Sequence, residues 1–331
     1  MKRGTKVKKT FKAILACSLA LLLTACGNGS ITSTLKSKSL SDNFKTEATI
    51  EETVLYDENG IKITATALNY KSFSAELALS LQNNTEKNLS FVCGSMGYSV
   101  NSVNGYMIQD GYLNCDVAPG ETSEQTLSIS VNAMLAYGIT EIADMEIGFD
   151  ISDEEYNSNY TGPLQIKTSA AESYDYSVDS YQKCIKSKSL EKKFDCTINS
   201  FSEEVLYDNY NIKMISAAVL TNKDGEVSLG LETENNNSDG VRATIKNISF
   251  NNIPVYEYTW TSDVINANKK DILDISLSDL ADKYEGEFSD ISTVTNISFT
   301  FSVGEENGYK NEDSKTINIS LPKITLQTNE E

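Results

Sequence analysis

Two copies of the tetrapeptide Val-Leu-Tyr-Asp constrain this chain more than any other feature of its sequence. They occupy residues 54–57 and 205–208, which places them 151 residues apart. Each is followed after three residues by a similar segment, Ile-Lys-Ile at 61–63 and Ile-Lys-Met at 212–214, with the same separation. A fixed separation between matching segments indicates an internal repeat. The sequence therefore predicts one folding unit that occurs twice.

A second motif, Lys-Ser-Lys-Ser-Leu, precedes each unit. Its copies lie at residues 36–40 and 186–190, and each is followed at the same distance by a phenylalanine, Phe44 or Phe194. These copies are 150 residues apart. The repeated region therefore begins upstream of the Val-Leu-Tyr-Asp stretch in both halves.

Both units alternate apolar and polar residues with a period of two. Leu77 and Leu79 show this pattern in the first unit, and Phe299 and Phe301 show it in the second. Such alternation is typical of half-buried strands. The Asn-Gly pair at 59–60 lies between two such runs and predicts a hairpin turn.

About seven short strands in each unit, separated by turns, indicate an antiparallel β-sandwich of immunoglobulin-like type. The fold class that we expect is all-β, with two tandem immunoglobulin-like sandwiches. Short helical segments are expected at residues 132–137 and 280–284. The Cys–Trp–Cys core of antibody domains is missing, so the pattern predicts the architecture alone.

The first 26 residues have the features of a secretory signal. A basic head without acidic residues, residues 2–12, precedes an apolar run of 11 residues at 13–23. That run is too short to span a bilayer. It ends in Leu-Thr-Ala-Cys at 23–26, which resembles the lipobox of bacterial lipoproteins. The resemblance implies cleavage before Cys26, lipid on its thiol and an anchor on the outer face of the cell membrane. The alternative is an ordinary signal peptide with an incidental cysteine.

The whole arrangement resembles tandem immunoglobulin-like lipoproteins of uncharacterised function in clostridia and other Gram-positive bacteria. The Val-Leu-Tyr-Asp stretch, an Asn-rich turn after the third strand and the apolar alternation near the end of each unit carry the resemblance. It implies a fold and a location but no active site. The expected organisation is a signal peptide at 1–25, a flexible tether at 26–47, repeat 1 at 48–168, a linker at 169–195, repeat 2 at 196–323 and a polar tail at 324–331.

Charge and composition exclude several classes of function. Removal of residues 1–25 leaves 22 basic and 47 acidic residues, a net charge of about −25. Such a chain repels nucleic acid, so we expect no nucleic-acid partner. Histidine is absent from the sequence, which removes His-assisted nucleophiles and imidazole metal sites.

Four cysteines remain beside Cys26 once the signal is removed: Cys93, Cys115, Cys184 and Cys196. An even number outside the cytoplasm favours disulfides, with three possible connectivities. We expect the two pairs that are near in sequence, Cys93 with Cys115 and Cys184 with Cys196. Free thiols are the alternative. Zinc is disfavoured because no two cysteines have a C-x-x-C spacing.

Three aromatic residues form the candidate ligand site. Tyr256, Tyr258 and Trp260 alternate with polar residues, so a strand would place all three rings on one face. Aromatic rings on a sheet face can stack on sugar rings. The alternative is that these rings fill the core or cover an edge.

Acidic residues offer no specific chemistry by their spacing. The loop cluster Asp150, Asp153, Glu154 and Glu155 lacks the spacing of a calcium loop, and no carboxylate pair has the motif of a glycosidase. We expect no metal, no cofactor and no catalytic residues. The leading hypothesis is a non-catalytic, membrane-anchored lipoprotein that binds a surface protein or polysaccharide. The alternative is polysaccharide binding through the aromatic strand of repeat 2.

Overall fold

Eight strands of repeat 1 form two antiparallel sheets, and its other four strands join a third sheet. The computed structural model describes residues 44–94, 101–255, 260–283, 291–306 and 311–324. The elements of the first half are β1 (Thr53–Glu58), β2 (Ile61–Tyr70), β3 (Ser74–Asn83), β4 (Leu89–Cys93), β5 (Ser102–Val103), β6 (Tyr106–Met107), β7 (Leu113–Val117), β8 (Thr122–Ser130), α1 (Val131–Ala136), β9 (Asp144–Ile147), β10 (Phe149–Asp153), β11 (Ser158–Tyr160) and β12 (Leu164–Lys167).

The two sheets of the first half pack face to face. One has the strand order β1-β2-β3-β8 and the other has the order β11-β10-β4-β7. Their inner faces bury Leu79 and Leu127 from the first sheet and Phe91 and Phe149 from the second, all fully excluded from solvent. Burial of these alternate residues holds the sandwich together, because apolar area is removed from water on both sheets at once.

Repeat 2 has the same arrangement. Its elements are β13 (Thr197–Ser202), β14 (Tyr207–Asn209), β15 (Ile212–Thr221), β16 (Val227–Asn235), β17 (Val241–Phe250), β18 (Ile253–Pro254), β19 (Trp260–Ile265), β20 (Lys270–Ser276), α4 (Leu277–Lys283), a 3-10 helix (Ile291–Thr293), β21 (Asn296–Glu305) and β22 (Asn311–Ser320). Strands β13 and β14 pair with β15 in a run β15-β16-β20, and β19 pairs with β17 in a run β17-β21-β22. The strand orders therefore match those of the first half, which confirms the predicted all-β sandwich class.

The turn after the third strand is built in the same way in both halves. Asn83 is buried at the end of β3, and its side-chain amide donates to the carbonyls of Lys87 and Val117, both at 2.8 Å. Asn235 is buried at the end of β16, and its amide donates to the carbonyls of Asp239 and Ile265, both at 2.9 Å. These asparagines satisfy buried backbone acceptors, so the Asn-rich turn has a structural role.

The two halves are joined into one sheet. Strands β12-β9-β5-β6 of the first half continue through β20 into the β16-β15 region of the second, and nine strands take part. The junction is a parallel pairing of β6 with β20, at Tyr106 and Lys270. Met107 packs in the core of the second half, and Leu220 packs in the core of the first.

The segment predicted as a linker is an ordered part of the structure. It contains helices α2 (Ser180–Lys186) and α3 (Ser189–Phe194), and we call residues 169–195 the connector. Tyr181, Ile185 and Leu190 of these helices are buried in the core of the first half. These three buried apolar side chains are spread over two short helices among small and polar residues. No long amphipathic pattern results, which explains why the sequence suggests a linker.

The boundary of the predicted tether also needs correction. Phe44 is 3% exposed and its ring lies 6.2 Å from that of Tyr70. The backbone N–H of Lys45 donates to the carbonyl of Thr140 at 2.7 Å. Residues from Phe44 onward therefore belong to the first sandwich.

The predicted helical segments are confirmed as α1 and α4. Ser130 caps α1, since its side chain accepts a hydrogen bond from the N–H of Ala133. Within the described part of the chain, no helix combines the length and apolar character that a bilayer crossing requires.

Candidate functional site

Most of the residues predicted to bind lipid or ligand lie outside the described part of the chain. This applies to Cys26, Tyr256 and Tyr258. Trp260 is the first residue of β19, where it pairs with Lys246 of β17. The grouping of the three rings on one face stays a prediction.

The predicted disulfide between Cys93 and Cys115 is not formed in the structure, where both residues are free thiols. They lie on neighbouring strands, but Cys93 is opposite Leu113 and Cys115 is opposite Phe91. Such diagonal neighbours are about 7–8 Å apart, whereas a disulfide needs Cα atoms closer than about 7 Å. Burial raises the pKa of the Cys93 thiol to about 12.

Cys184 and Cys196 are free thiols as well, so the second predicted pair is also not formed. Both are buried, one in α2 and the other just before β13. The Sγ of Cys184 accepts a hydrogen bond from the hydroxyl of Ser189 at 3.1 Å. Burial raises the pKa of both thiols, and that of Cys196 is about 11.

The acidic loop of the first half forms ion pairs. Asp153 accepts hydrogen bonds from the Asn157 side chain and from Nζ of Lys87, the latter at 2.6 Å. These contacts, with that of Asn157 the largest, lower the pKa of Asp153. Across the described ranges, no three acidic or cysteine side chains converge in a way that suits a metal ion.

A cluster of charged side chains lies where the first sandwich, the connector and the second sandwich meet. The backbone N–H of Lys270 on β20 donates to the carbonyl of Gly105 at 2.8 Å. Its Nζ forms an ion pair with Asp179, the N-cap residue of α2, and lies 3.0 Å from Oε1 of Glu234. The hydroxyl of Tyr106 donates to Oδ1 of Asp179 at 2.9 Å. We call Tyr106, Asp179, Glu232, Glu234 and Lys270 the seam cluster.

Glu232 is the fully buried member of the seam cluster. Its Oε2 accepts hydrogen bonds from the amide of Gln182 at 2.9 Å and the hydroxyl of Ser216 at 2.8 Å. Burial raises the pKa of Glu232 to about 7, and the nearby carboxyl of Asp179 acts in the same direction. Burial also acts to raise the pKa of Asp179, but hydrogen bonds with Glu232 and Lys270 outweigh it and lower that pKa. As the pH falls, Glu232 therefore binds a proton before Asp179 does.

Sequence reasoning missed the seam cluster for a specific reason. Counted back from the turn asparagines, Glu232 takes the place of Ser80 in the first repeat, and Ser80 is half-buried and bonded to the exposed Glu124. Glu232 therefore looks like an outward-facing strand residue. The connector covers that face only in the second half. The departure from the repeat at this position was the one available signal.

A cavity of about 830 Å³ opens between the first sandwich and the connector. The first sandwich supplies Leu135 of α1 and Gly138 just beyond it, and the connector supplies Val178, Cys184 and Leu190 among others. The members of the seam cluster do not line this cavity. Its size suits a small organic molecule.

At Gly138 the first sandwich comes very close to helix α2 of the connector. Its φ is +71°, and a Cβ placed there would lie 2.2 Å from the carbonyl oxygen of Ser180. The hydroxyl of Ser180 donates to the carbonyl of Tyr137 at 2.8 Å. Only glycine allows α2 to start this close to the end of α1, and both Gly138 and Ser180 line the cavity.

These features define a protein of two antiparallel sandwiches joined by a helical connector, with a cavity against that connector. No known protein family matches the chain, and no curated protein matches it. Among solved structures it is similar to red sea bream transglutaminase, with 4% identity over 82% of this chain and 31% of that one, at a TM-score of 0.18. It is also similar to an exo-chitosanase of Amycolatopsis orientalis, with 8% identity over 75% of this chain and 25% of that one, at a TM-score of 0.18.

The chain thus spans less than a third of the length of either enzyme. The chain is also similar to an anti-sigma factor domain-containing protein, with 9% identity over 84% of this chain and 91% of that one, at a TM-score of 0.15. Such scores carry no argument about activity.

Proposed function

We propose that this protein is a membrane-anchored surface lipoprotein in which two β-sandwiches act as a non-catalytic binding module. The sequence support is the basic head, the short apolar run and the Leu-Thr-Ala-Cys box that ends at Cys26. The structural support is a cavity of about 830 Å³ between the first sandwich and the connector. A cavity of this size that opens to solvent is what a binding module requires.

The position of the acid–base pair favours binding over hydrolysis. Asp179 and Glu232 have pKa values shifted in opposite directions, as in glycosidases. However, a glycosidase needs both carboxyls to flank a substrate in a cleft. Glu232 has no exposed surface, and neither carboxyl lines the cavity. Both carboxyl groups instead face Nζ of Lys270 within the protein.

The anchoring part of the proposal is tested by Cys26→Ser, with Cys17→Ser as the matched control. Both variants remove one cysteine from the signal region, but only Cys26 stands at the end of the box. Cys26→Ser should abolish lipid labelling and release the protein from membranes, and Cys17→Ser should leave both unchanged. Continued labelling and membrane fractionation of Cys26→Ser would disprove the anchor.

Polysaccharide binding through repeat 2 is the second candidate function. Its support is that Trp260 begins β19, which pairs with β17 along one side and so lies at a sheet edge among the described strands. Trp260 is the single tryptophan of the chain, so its fluorescence reports this site alone. A cell-wall polysaccharide should quench that emission, and Trp260→Ala should abolish binding.

The matched control is Tyr112→Ala, which removes an aromatic side chain that is 64% exposed elsewhere. It should retain polysaccharide binding. A core aromatic residue would behave differently, because Trp260→Ala would then destabilise the protein by about 3–5 kcal/mol. If that loss is observed and no glycan changes the tryptophan emission, the carbohydrate proposal is wrong.

A further inference from the structure

The cavity beside the connector has a positive lining in a strongly acidic protein. Four lysines and two carboxylates line it, whereas the full sequence has a net charge of −19. These residues are Lys45, Lys183, Lys192, Lys193, Glu141 and Asp175. The sign of the lining is therefore opposite to that of the whole chain.

Both carboxylates of the lining already have partners. Glu141 forms a two-pronged ion pair with Lys45, at 2.9 and 3.0 Å. Asp175 accepts hydrogen bonds from the hydroxyl and the N–H of Ser177, at 2.6 and 3.0 Å. Glu141 is therefore matched by Lys45, whereas Asp175 keeps its charge. The hydrogen bonds from Ser177 lower the pKa of Asp175, and the positive charge of Lys183 helps to lower it.

The other three lysines of the lining differ from Lys45. Within the described ranges, Lys183, Lys192 and Lys193 form no ion pair. Lys193 is half-buried, and burial lowers the pKa of its ammonium group. A helix C-terminus favours basic residues, which accounts for lysine in the last turn of α3 but not for a half-buried one without a counter-ion.

Other lysines of the connector behave differently. Nζ of Lys186 lies 2.6 Å from Glu203, and that of Lys188 lies 3.6 Å from Glu191. Neither lysine lines the cavity. Among the five lysines of the connector, the unpaired ones are therefore those that line the cavity.

The repeat shows that these charges are not required by the fold. When the two Lys-Ser-Lys-Ser-Leu motifs are aligned, Lys192 and Lys193 replace Asp42 and Asn43 of the first copy. The neighbouring Leu and Phe are kept in both copies. The two lysines at these positions of the second copy line the cavity.

We propose that this cavity binds an organic anion with an apolar body, whose carboxylate, phosphate or sulfonate group contacts Lys192 and Lys193. Leu135, Val178 and Leu190 supply the apolar surface for the body. The lysines supply the counter-charge, and the partial burial of Lys193 strengthens its attraction for an anion. The inference rests on the proposed binding role, but it does not depend on the lipid anchor.

The test uses the mature chain carrying Cys26→Ser and two fluorescent probes. Anilinonaphthalene sulfonate has an apolar body with an anionic group, and N-phenylnaphthylamine has the same body without the charge. Lys192→Gln/Lys193→Gln removes the charges, and Lys186→Gln/Lys188→Gln is the control with the same charge change on the same connector. Lys192→Arg/Lys193→Arg keeps the charge.

The Lys192→Gln/Lys193→Gln variant should weaken sulfonate binding by about tenfold or more, the effect of roughly 1.4 kcal/mol in affinity. The control and the arginine variant should bind the sulfonate within about twofold of the parent. Decanoate and octyl phosphate should displace the probe, while inorganic phosphate at equal concentration should not. Thermal melts of all variants verify folding.

Three results would overturn the inference. An equal loss of sulfonate affinity in both glutamine variants would indicate that the net charge of the connector matters and that direct contact with Lys192 and Lys193 does not. Equal affinity of the parent for the neutral probe would remove the anion preference but leave a binding cavity, and with it the proposed function. Failure of both probes to bind the parent would count against the cavity and the binding role together.

Discussion

Oε1 of Glu232 lies 3.6 Å from Nζ of Lys270, and the glutamate side chain is completely buried. Both residues belong to the second half, but the groups around them come from elsewhere. Asp179 belongs to the connector and Tyr106 to the first half, and both take part in the same cluster. A buried ionic cluster adds little net stability, yet loss of one partner leaves an uncompensated charge. The seam cluster therefore brings groups from three parts of the chain into contact, and removal of one of them should destabilise that contact.

The pH dependence of stability should report the proton on Glu232. Its pKa is about 7 in the folded protein and 4.5 in an unfolded chain. The stability from protonated Glu232 is fully present below pH 4.5 and is lost as the pH rises through 7. Glu232→Gln cannot titrate, so its unfolding free energy should lack this loss, which we expect to be on the order of 2–3 kcal/mol.

Denaturant unfolding at several pH values between 5 and 8 is the measurement. Glu234→Gln is the control, because it removes the more exposed carboxylate that contacts Lys270 and keeps Glu232. It should retain the loss of stability above pH 5. Asp179, whose pKa is lowered, contributes in the opposite sense, since its stabilisation is lost only as the pH falls below about 3.8. Parallel curves for the parent and Glu232→Gln would contradict the assignment of the proton.

Gly138→Ala should open the contact between α1 and α2. The new methyl group would meet the Ser180 carbonyl, and the φ of +71° adds backbone strain. Gly120→Ala is the matched control, since its φ is +75° and no atom lies within 4 Å of a Cβ there. The control should cost about 1–2 kcal/mol for the left-handed backbone alone. Gly138→Ala should cost about 1–3 kcal/mol more, as overpacking does. Equal urea midpoints for Gly138→Ala and Gly120→Ala would show that α1 and α2 do not pack closely at Gly138.

The connector should stabilise the first sandwich. A fragment of residues 44–195 keeps Tyr181, Ile185 and Leu190, which are buried in the core of the first half, whereas a fragment of residues 44–168 lacks them. Circular dichroism should show β-structure for both, with a higher melting temperature for the longer one, because it buries more apolar surface. Identical melting temperatures would mean that the connector is held only by the second half. Independent folding of each repeat stays a prediction.

Thiol labelling should separate the cysteines by burial. Cys115 is partly exposed, whereas Cys93 is fully buried with a pKa of about 12. Since the thiolate is the reactive form, native protein treated with iodoacetamide at pH 8 should label Cys115 first and Cys93 only after unfolding. Peptide mapping of non-reduced protein reads the order. Recovery of a Cys93–Cys115 cross-linked peptide would instead restore the predicted disulfide.

Much of this architecture follows from the sequence. The Val-Leu-Tyr-Asp repeat predicts two similar units, and the alternation of residues such as Leu77 and Leu79 predicts their strands. Local pattern is sufficient here because a strand with one buried face must alternate whatever its neighbours are. The helical segment predicted at 132–137 corresponds to α1, whose cap residue and apolar residues are contiguous in the sequence.

The seam cluster and the cavity were decided by tertiary structure alone. Asp179 lies in a segment whose small polar residues predict a linker, and Glu232 lies on a strand face that the repeat suggests is exposed. Their pairing through Lys270 depends on β6 meeting β20, a contact between residues more than 160 positions apart. No periodic pattern in the sequence encodes such a contact, because burial of a charge depends on what packs over it. The repeat determined each sandwich, and the way the connector covers them determined the site.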